Sequence, residues 1–470
     1  MKRLIGKGTR VLSRLAARRV TRIKGIAVSV IVPVYNTETY LGPMLDSVVA
    51  QDLATENFEV IAVDDGSTDT SGRILDEYAA RFSNFRVVHQ ENSGWAGKPR
   101  NVALGLSQGK FVFFADADDL LEPHALRRMV EFAEQHRLDV VLPKVVGIGG
   151  RKQTSSLYAK TNPSITPLQA LKSLTPQKLV ARSLIESNHL RFAEEPIRLE
   201  DGIFMVACYL LANGIGVIAD SDFYSLRQRA DGSNISYRPL VPHEYTSSIA
   251  KIAVVIKAMA TEQDLAESMI MALWRRKGLK IYEPPRFKRY SEKVQDQWLE
   301  AHSNFLEEFM PVEHSGRMSA IHHRKTEAIR RKDKTAVLET NALEAILTQP
   351  ATVTSAAVSD GCLKIAGKVA APGIDTISLS AEARGNRDKI LAGIVLPVKD
   401  GMFVGDMSGL VGGEVALDFF AQTSAGGLPG PNRRLAAEDS GFATNGLFEP
   451  YRTKNGYLSV RNIGEEATRS

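Results

Sequence analysis

At 470 residues the chain is too long for one ordinary domain, and with 44% hydrophobic and 24% charged residues it has the balance of a globular protein that buries a sizeable core. No run of about 18 apolar residues occurs, so no membrane-spanning helix is expected. The two cysteines, Cys208 and Cys362, stand far apart. That excludes a disulfide framework or a cysteine metal site and suits a reducing, cytoplasmic setting.

The formal net charge of +5 is unevenly spread: residues 1–24 hold nine Lys or Arg and no acid. Residues 1–25 read as a basic amphipathic segment, with Leu4, Val11, Leu12, Leu15 and Val20 at roughly helical spacing, although Gly6 and Gly8 weaken its start. Such a helix can lie on an anionic membrane surface, here the inner face of the cell membrane. A disordered basic tail and a helix packed on its own domain are the competing readings. The segment lacks the apolar stretch and cleavage site of a secretory signal.

Residues 26–240 alternate strand and helix. The pattern predicts strands at Val28 to Val34, Phe58 to Val63, Phe85 to His89, Lys110 to Ala115 and Asp139 to Pro143. Helices are predicted at Tyr40 to Ala50, Ser71 to Phe82, Pro99 to Ser107 and Pro123 to His136. This rhythm implies an α/β domain with a mostly parallel sheet. Residues 241–348 read as a helical linker. From 349 to 470, short alternating segments between Gly, Pro and Asp clusters read as a small β-sandwich. No G-x-G-x-x-G follows the first strand, which argues against a dinucleotide-dependent oxidoreductase.

Five constellations carry candidate chemistry. Val32-Pro33-Val34-Tyr35-Asn36 ends the first strand, where Tyr35 can pack beside a base or simply turn the chain. Asp64-Asp65-Gly66-Ser67 follows the second strand, at the edge where open α/β sheets bind ligands. A carboxylate there can accept an imide N–H or ribose hydroxyls, while Ser67 or Asp69 can serve only to cap the next helix. Glu91-Asn92-Ser93-Gly94 leads to Gly97-Lys98-Pro99-Arg100, whose cations can pair with phosphate near a helix start. A loop followed by a proline-started helix is the alternative.

Asp116-Ala117-Asp118-Asp119 is the sharpest signal, because three carboxylates close an apolar run, Phe111-Val112-Phe113-Phe114. Like charges so close raise one another's pKa; a divalent cation with a taste for hard oxygen ligands, Mg²⁺ or Mn²⁺, removes that cost. A solvated acidic turn is the competing reading. Lastly, Glu200-Asp201 opens an apolar stretch, as a helix cap or, if the fold brings it near the acidic turn, as a general base.

In order and spacing, VSVIVPVYN, VDDGSTD, ENSG with PRNVAL, and GKFVFFADADD resemble the family-2 glycosyltransferases of the GT-A fold, over about residues 26–235. The stretch from Lys178 to Ala212, with YSLRQRADGSNIS and the closing YRTKNGYLSVR, looks similar to the wall teichoic acid N-acetylglucosaminyltransferases of Gram-positive bacteria. The resemblance implies an inverting transfer from a UDP-sugar to a hydroxyl of an anionic polyol-phosphate polymer, in a homo-oligomer such as a trimer. Capsule or other glycan synthesis from UDP-glucose or UDP-galactose is the alternative, as is a degenerate sugar-binding assembly protein; no nucleic-acid partner is expected. By motif, Pro33 and Asp65 would flank the uracil, and Asn92 and Arg100 would hold the nucleotide. Asp116 and Ala117 would contact the ribose or the metal-bound nucleotide, Asp118 with Asp116 would ligate Mn²⁺ or Mg²⁺, and Asp201 beside Glu200 would be the base.

Overall fold

A computed structural model describes residues 25–153, 155–230, 239–312, 317–359, 361–410, 416–444 and 448–463. The expected N-terminal helix, and the end of the YSLRQRADGSNIS motif, lie outside them. The chain divides into two compact units after Arg238.

The first unit is built on a seven-stranded sheet. Its strands are β1 (Val28–Val34), β2 (Phe58–Asp64), β3 (Phe85–His89), β4 (Phe111–Phe114), β6 (Val140–Pro143), β8 (Leu179–Ala181) and β9 (Ile215–Ile218), in the order β3-β2-β1-β4-β8-β6-β9. β1, β2 and β4 are near-continuous apolar runs because they lie in the middle of the sheet and are buried along almost their whole length. β1 runs parallel to both β2 and β4, and β2 to β3, so their carboxyl ends share one edge. β8 is antiparallel to β4 and β6. This reversed strand is invisible to a βα-rhythm reading, since only three residues form it.

Helices α1 (Glu38–Val49), α2 (Ser71–Arg81), α3 (Gly97–Leu106), α4 (Ala125–His136) and, after the short α5 (Pro167–Ala170) and α6 (Arg182–Ser187), α7 (Glu200–Leu211) join the strands. Thr70 rather than Ser67 or Asp69 occupies the cap position of α2. Asp69 nevertheless accepts from the Ser71 N–H at 2.9 Å, a side chain satisfying one of the helix's orphan donors. α3 begins at Gly97, where an added Cβ would lie 1.8 Å from the Ala193 carbonyl oxygen, so only glycine allows the approach. A second sheet sets β10 (Tyr224–Arg227) between β5 (Leu120–Leu121) and β7 (Val145–Ile148). It brings the chain after Leu226 against the acidic turn that follows β4.

The second unit begins with helices from Pro242 to Leu347, whose core centres on the fully buried Trp274 and Trp298. Two β-sheets follow between Ala351 and Asn462, mostly antiparallel, packed around Val353, Ile365, Ile377, Leu379, Phe403 and Phe419. Their alternating burial, as in Cys362–Val369, is the period-two signature of strands with one face inward.

Candidate active site

The carboxyl ends of β1, β2 and β4 assemble the predicted constellations at one edge. Register pairs Val34 with Asp64 and Ile31 with Phe114, so the loops after β2 and β4 flank the end of β1. Strands in a sheet are about 4.8 Å apart, which puts those loops within about 10 Å of each other.

Asp65 is almost fully buried and held by three donors: Gln90 Nε2 at 2.6 Å, the Ser93 N–H at 3.0 Å and the Ser93 hydroxyl at 2.8 Å. Gly66 has φ of +73°, and a Cβ there would come 2.7 Å from the Asn92 nitrogen, which is why the two loops can touch. Asn92 folds back to accept from the Gly94 N–H at 2.8 Å. Pro33 is the last residue but one of β1, and Tyr35 stands 48% exposed just beyond the strand, available as a face for a base.

Arg100 is the centre of the site. On the first turns of α3 it is 4% exposed and bridges three acids: Asp201 at 2.6 Å, Asp116 at 3.0 Å and Glu200 at 3.4 Å. Burial alone would lower its pKa, but the three carboxylates outweigh that and fix it as a cation. The ring of Phe192 lies 5.2 Å beneath it. Arg100, expected to help hold the nucleotide, holds the α7 acids beside the β4 turn. Lys98 is exposed.

Glu200 and Asp201 open α7, where the helix dipole favours negative charge. Leu199, before them, sits in the left-handed region at φ of +62°. Such strain in a non-glycine residue clusters at functional sites. Burial, together with Glu200 and Asp116, pushes Asp201 up to about 8 in spite of the pull of Arg100 and Lys178.

In the acidic turn, Asp116 accepts from Arg100 and, at 2.7 Å, from Gln177 Nε2, while its own N–H donates to the Tyr224 hydroxyl. Ala117 is buried at the bend. Asp118 accepts from Arg229 Nε at 2.6 Å, and Asp119 from the Arg227 N–H at 2.7 Å. Burial first, then the neighbouring acids, raises the pKa of Asp118 and pushes Asp119 up to about 8. These hard carboxylate oxygens, crowded and short of positive charge, fit Mg²⁺ or Mn²⁺. Among the described residues no three His, Cys, Asp or Glu side chains converge on one point. Asp118 and Asp116 would therefore hold such an ion with phosphate oxygens and water completing the shell, the usual arrangement for Mg²⁺.

Sequence reasoning missed Gln177, Lys178, Arg227 and Arg229. Lys178 is fully buried and donates to Ser173 at 2.7 Å and to the Thr175 hydroxyl at 3.0 Å. Nothing in Thr175-Pro176-Gln177-Lys178 signals that short β8 carries it inward.

Residues 29–184 match the family described as glycosyl transferase family 2, and residues 242–341 the glycosyl transferase TarS linker domain. The chain is 31% identical over 245 residues to the uncharacterized glycosyltransferase EpsJ of Bacillus subtilis, covering 48% of this chain and 69% of EpsJ. The chain belongs to glycosyltransferase family 2. It is 36% identical over 239 residues to the poly(ribitol-phosphate) beta-glucosyltransferase of Bacillus spizizenii, 50% of this chain and 38% of that one. It is 34% identical over 286 residues to the poly(ribitol-phosphate) beta-N-acetylglucosaminyltransferase TarS of Staphylococcus aureus, 59% of this chain and 49% of TarS. The chain thus spans less than half the length of these two relatives. The crystal structure of S. aureus TarS 1–349 in complex with UDP-GlcNAc superposes with a TM-score of 0.63 at 29% identity, covering 72% of this chain and 96% of that one. The glycosyltransferase α/β fold, the helical linker and the β-rich end are those of this family-2 member.

Proposed function

We propose that this protein is an inverting, divalent-cation-dependent glycosyltransferase that moves N-acetylglucosamine from UDP-N-acetylglucosamine to a hydroxyl of a polyol-phosphate cell-wall polymer. The observation that carries the reading is the Arg100 bridge, which fixes Asp201 and Asp116 on one guanidinium at 2.6 and 3.0 Å. A proton acceptor and the turn suited to a metal–diphosphate are thereby held at a fixed spacing. Asp65, Pro33 and Tyr35 take the uracil, with Asn92 on the adjoining loop, and Asp116 with Ala117 takes the ribose. Asp201 removes the proton from the acceptor hydroxyl as that oxygen attacks the anomeric carbon, and Glu200 beside it keeps Arg100 from neutralising Asp201 alone. Asp118 and Asp116 would hold Mg²⁺ or Mn²⁺, which would supply the positive charge that a departing diphosphate needs. Resemblance to the poly(ribitol-phosphate) glycosyltransferases supports the acceptor class. The proposal extends to assembly as a homo-oligomer such as a trimer and to work at the cytoplasmic face of the membrane. No described helix is long and apolar enough to cross a membrane.

UDP-glucose is the second donor, favoured by the 36% identity to the Bacillus spizizenii glucosyltransferase. Melting-temperature shifts with UDP, UDP-N-acetylglucosamine, UDP-glucose and UDP-galactose, with and without Mn²⁺, test the donor class. Product analysis on polyribitol phosphate then tests sugar and acceptor. A Mn²⁺-dependent rise with UDP compounds is expected. No shift with any of them overturns the transferase reading, and transfer of glucose alone replaces the donor.

A further inference from the structure

His89 ends β3 with both ring nitrogens committed. Nδ1 lies 2.9 Å from Asp64 Oδ2, and Nε2 lies 3.0 Å from Asp76 Oδ1. A neutral imidazole has one N–H, so in that form one carboxylate faces a lone pair; only the imidazolium donates to both. The charged groups facing the ring are Asp64 of β2 and Asp76 of α2; Arg73 and Glu77, also on α2, pair with each other at 3.0 Å. Hydrogen bonding to Asp64 and then Asp76 raises the pKa of His89 against the opposing effect of burial. α2 comes this close because its second residue is Gly72, whose Cβ, if present, would lie 2.9 Å from Asp64 Oδ2.

The clamp is continuous with the loop assigned to the base. Asp64 Oδ1 accepts from the Ser67 N–H at 2.9 Å, closing the turn that contains Asp65. Gln90, next to His89, donates its N–H to the Asp64 carbonyl at 3.0 Å and its amide to Asp65 at 2.6 Å. One ring therefore ties the end of β2, the start of α2 and the end of β3 together, and the residue beside it holds Asp65.

We propose that His89 is a positioning residue for the nucleotide subsite: its imidazolium locks Asp64, and through the shared loop Asp65, so that affinity for a nucleoside diphosphate falls when the ring loses its proton. This rests on the reading that Asp65 meets the uracil. The test measures the Kd of UDP calorimetrically on the full chain at fixed Mg²⁺ from pH 6 to 8.5, for wild type, His89→Gln, His89→Arg and Asp76→Asn. The ratio of the His89→Gln and wild-type constants cancels titration of the phosphates and of the other site acids. It is expected to be about fivefold at pH 6, within the range of measured couplings between linked sites, and to approach one at pH 8.5. Asp76 is 63% exposed, so Asp76→Asn should fold normally and move the midpoint of the fall to lower pH. His89→Arg, a fixed cation, should bind tightly with no such fall. A ratio constant across pH, or an Asp76→Asn midpoint that does not move, overturns the proposal. If wild type fails to bind UDP at every pH, it is the base-binding reading that falls.

Discussion

Replacing Arg100 with methionine takes away the guanidinium that joins Asp116, Asp201 and Glu200. Removing one member of a buried ion pair typically costs about 3–5 kcal/mol, because the partners are left charged and unpaired. Here the arginine is 4% exposed while the acids keep 34%, 26% and 11% of their side-chain exposure, so water relieves part of that cost. The lower end, about 3 kcal/mol, is expected at pH 7.5. Arg100→Lys keeps the charge but not the fork. One ammonium cannot reach both Asp116 and Asp201 along two nitrogens, and losing one charged hydrogen bond costs about 1.5–3 kcal/mol.

Because the chain has two units, the readout is native-state hydrogen exchange of the α3 and α7 amides, which reports the first unit by itself. The pH dependence carries the sign. Without Arg100 the acids bind protons more tightly in the folded state than unfolded, so the variant loses stability as pH rises and recovers as it falls. The gap between Arg100→Met and wild type should therefore narrow from pH 8 to pH 5. A variant within 1 kcal/mol of wild type at pH 7.5, or a gap that does not change with pH, would falsify the view that this arginine is what neutralises the cluster.

Asp201→Asn keeps an oxygen for Arg100 but cannot take a proton. Turnover should fall roughly 10²- to 10⁴-fold with UDP affinity within about threefold, and near-normal turnover would remove Asp201 from the chemistry. In the β-rich region of the second unit, Asp418 is partly buried, which opposes ionisation, yet bonds from Arg434, Arg384 and Ser459 prevail and hold its pKa below the ordinary value. A depressed carboxylate contributes stability above its unfolded pKa and loses it as pH falls through the folded one. Asp418→Asn should cost about 1.5–3 kcal/mol at pH 7 by hydrogen exchange of the strand Ala416–Ala425, and the gap to wild type should narrow as pH falls below the ordinary carboxylate range.

The parts legible in the sequence were those whose signal is local. The apolar runs of β1, β2 and β4 announce buried parallel strands, and three acids closing such a run announce a site. Helix ends differ from the expected ones by at most two residues, as at α3, which starts two residues before Pro99 because Gly97 admits the neighbouring loop. What sequence could not place was set by long-range packing. Arg100 meets Asp201 across a separation of 101 residues, and Arg229 meets Asp118 across 111. No periodicity encodes either encounter. His89 read as the last residue of a strand, because its two carboxylates come from elements that only the sheet order brings together.

The charge balance of the cleft makes the need for a cation testable without turnover. Asp65, Asp116, Asp118, Asp119, Glu200 and Asp201 all gather at this edge. Arg100 is already shared among three of them, Arg229 is bound to Asp118 at 2.6 Å, and the buried Lys178 is committed to Ser173 and Thr175. A diphosphate approaching with no positive charge of its own meets mostly repulsion, and mobile ions screen repulsion over about 8–10 Å at 0.10–0.15 M salt. Raising NaCl from about 0.02 to 0.3 M should therefore tighten UDP binding when EDTA is present. With saturating Mn²⁺ the interaction becomes attractive, and the same salt should weaken it. Asp118→Ala should bind UDP alike with and without Mn²⁺ and keep the EDTA-type slope in both. Fluorescence titration of UDP at several salt concentrations gives the slopes directly. If salt weakens binding equally with and without Mn²⁺, the unpaired positive charge needed by the diphosphate already resides in the protein, and the acidic turn has some other task.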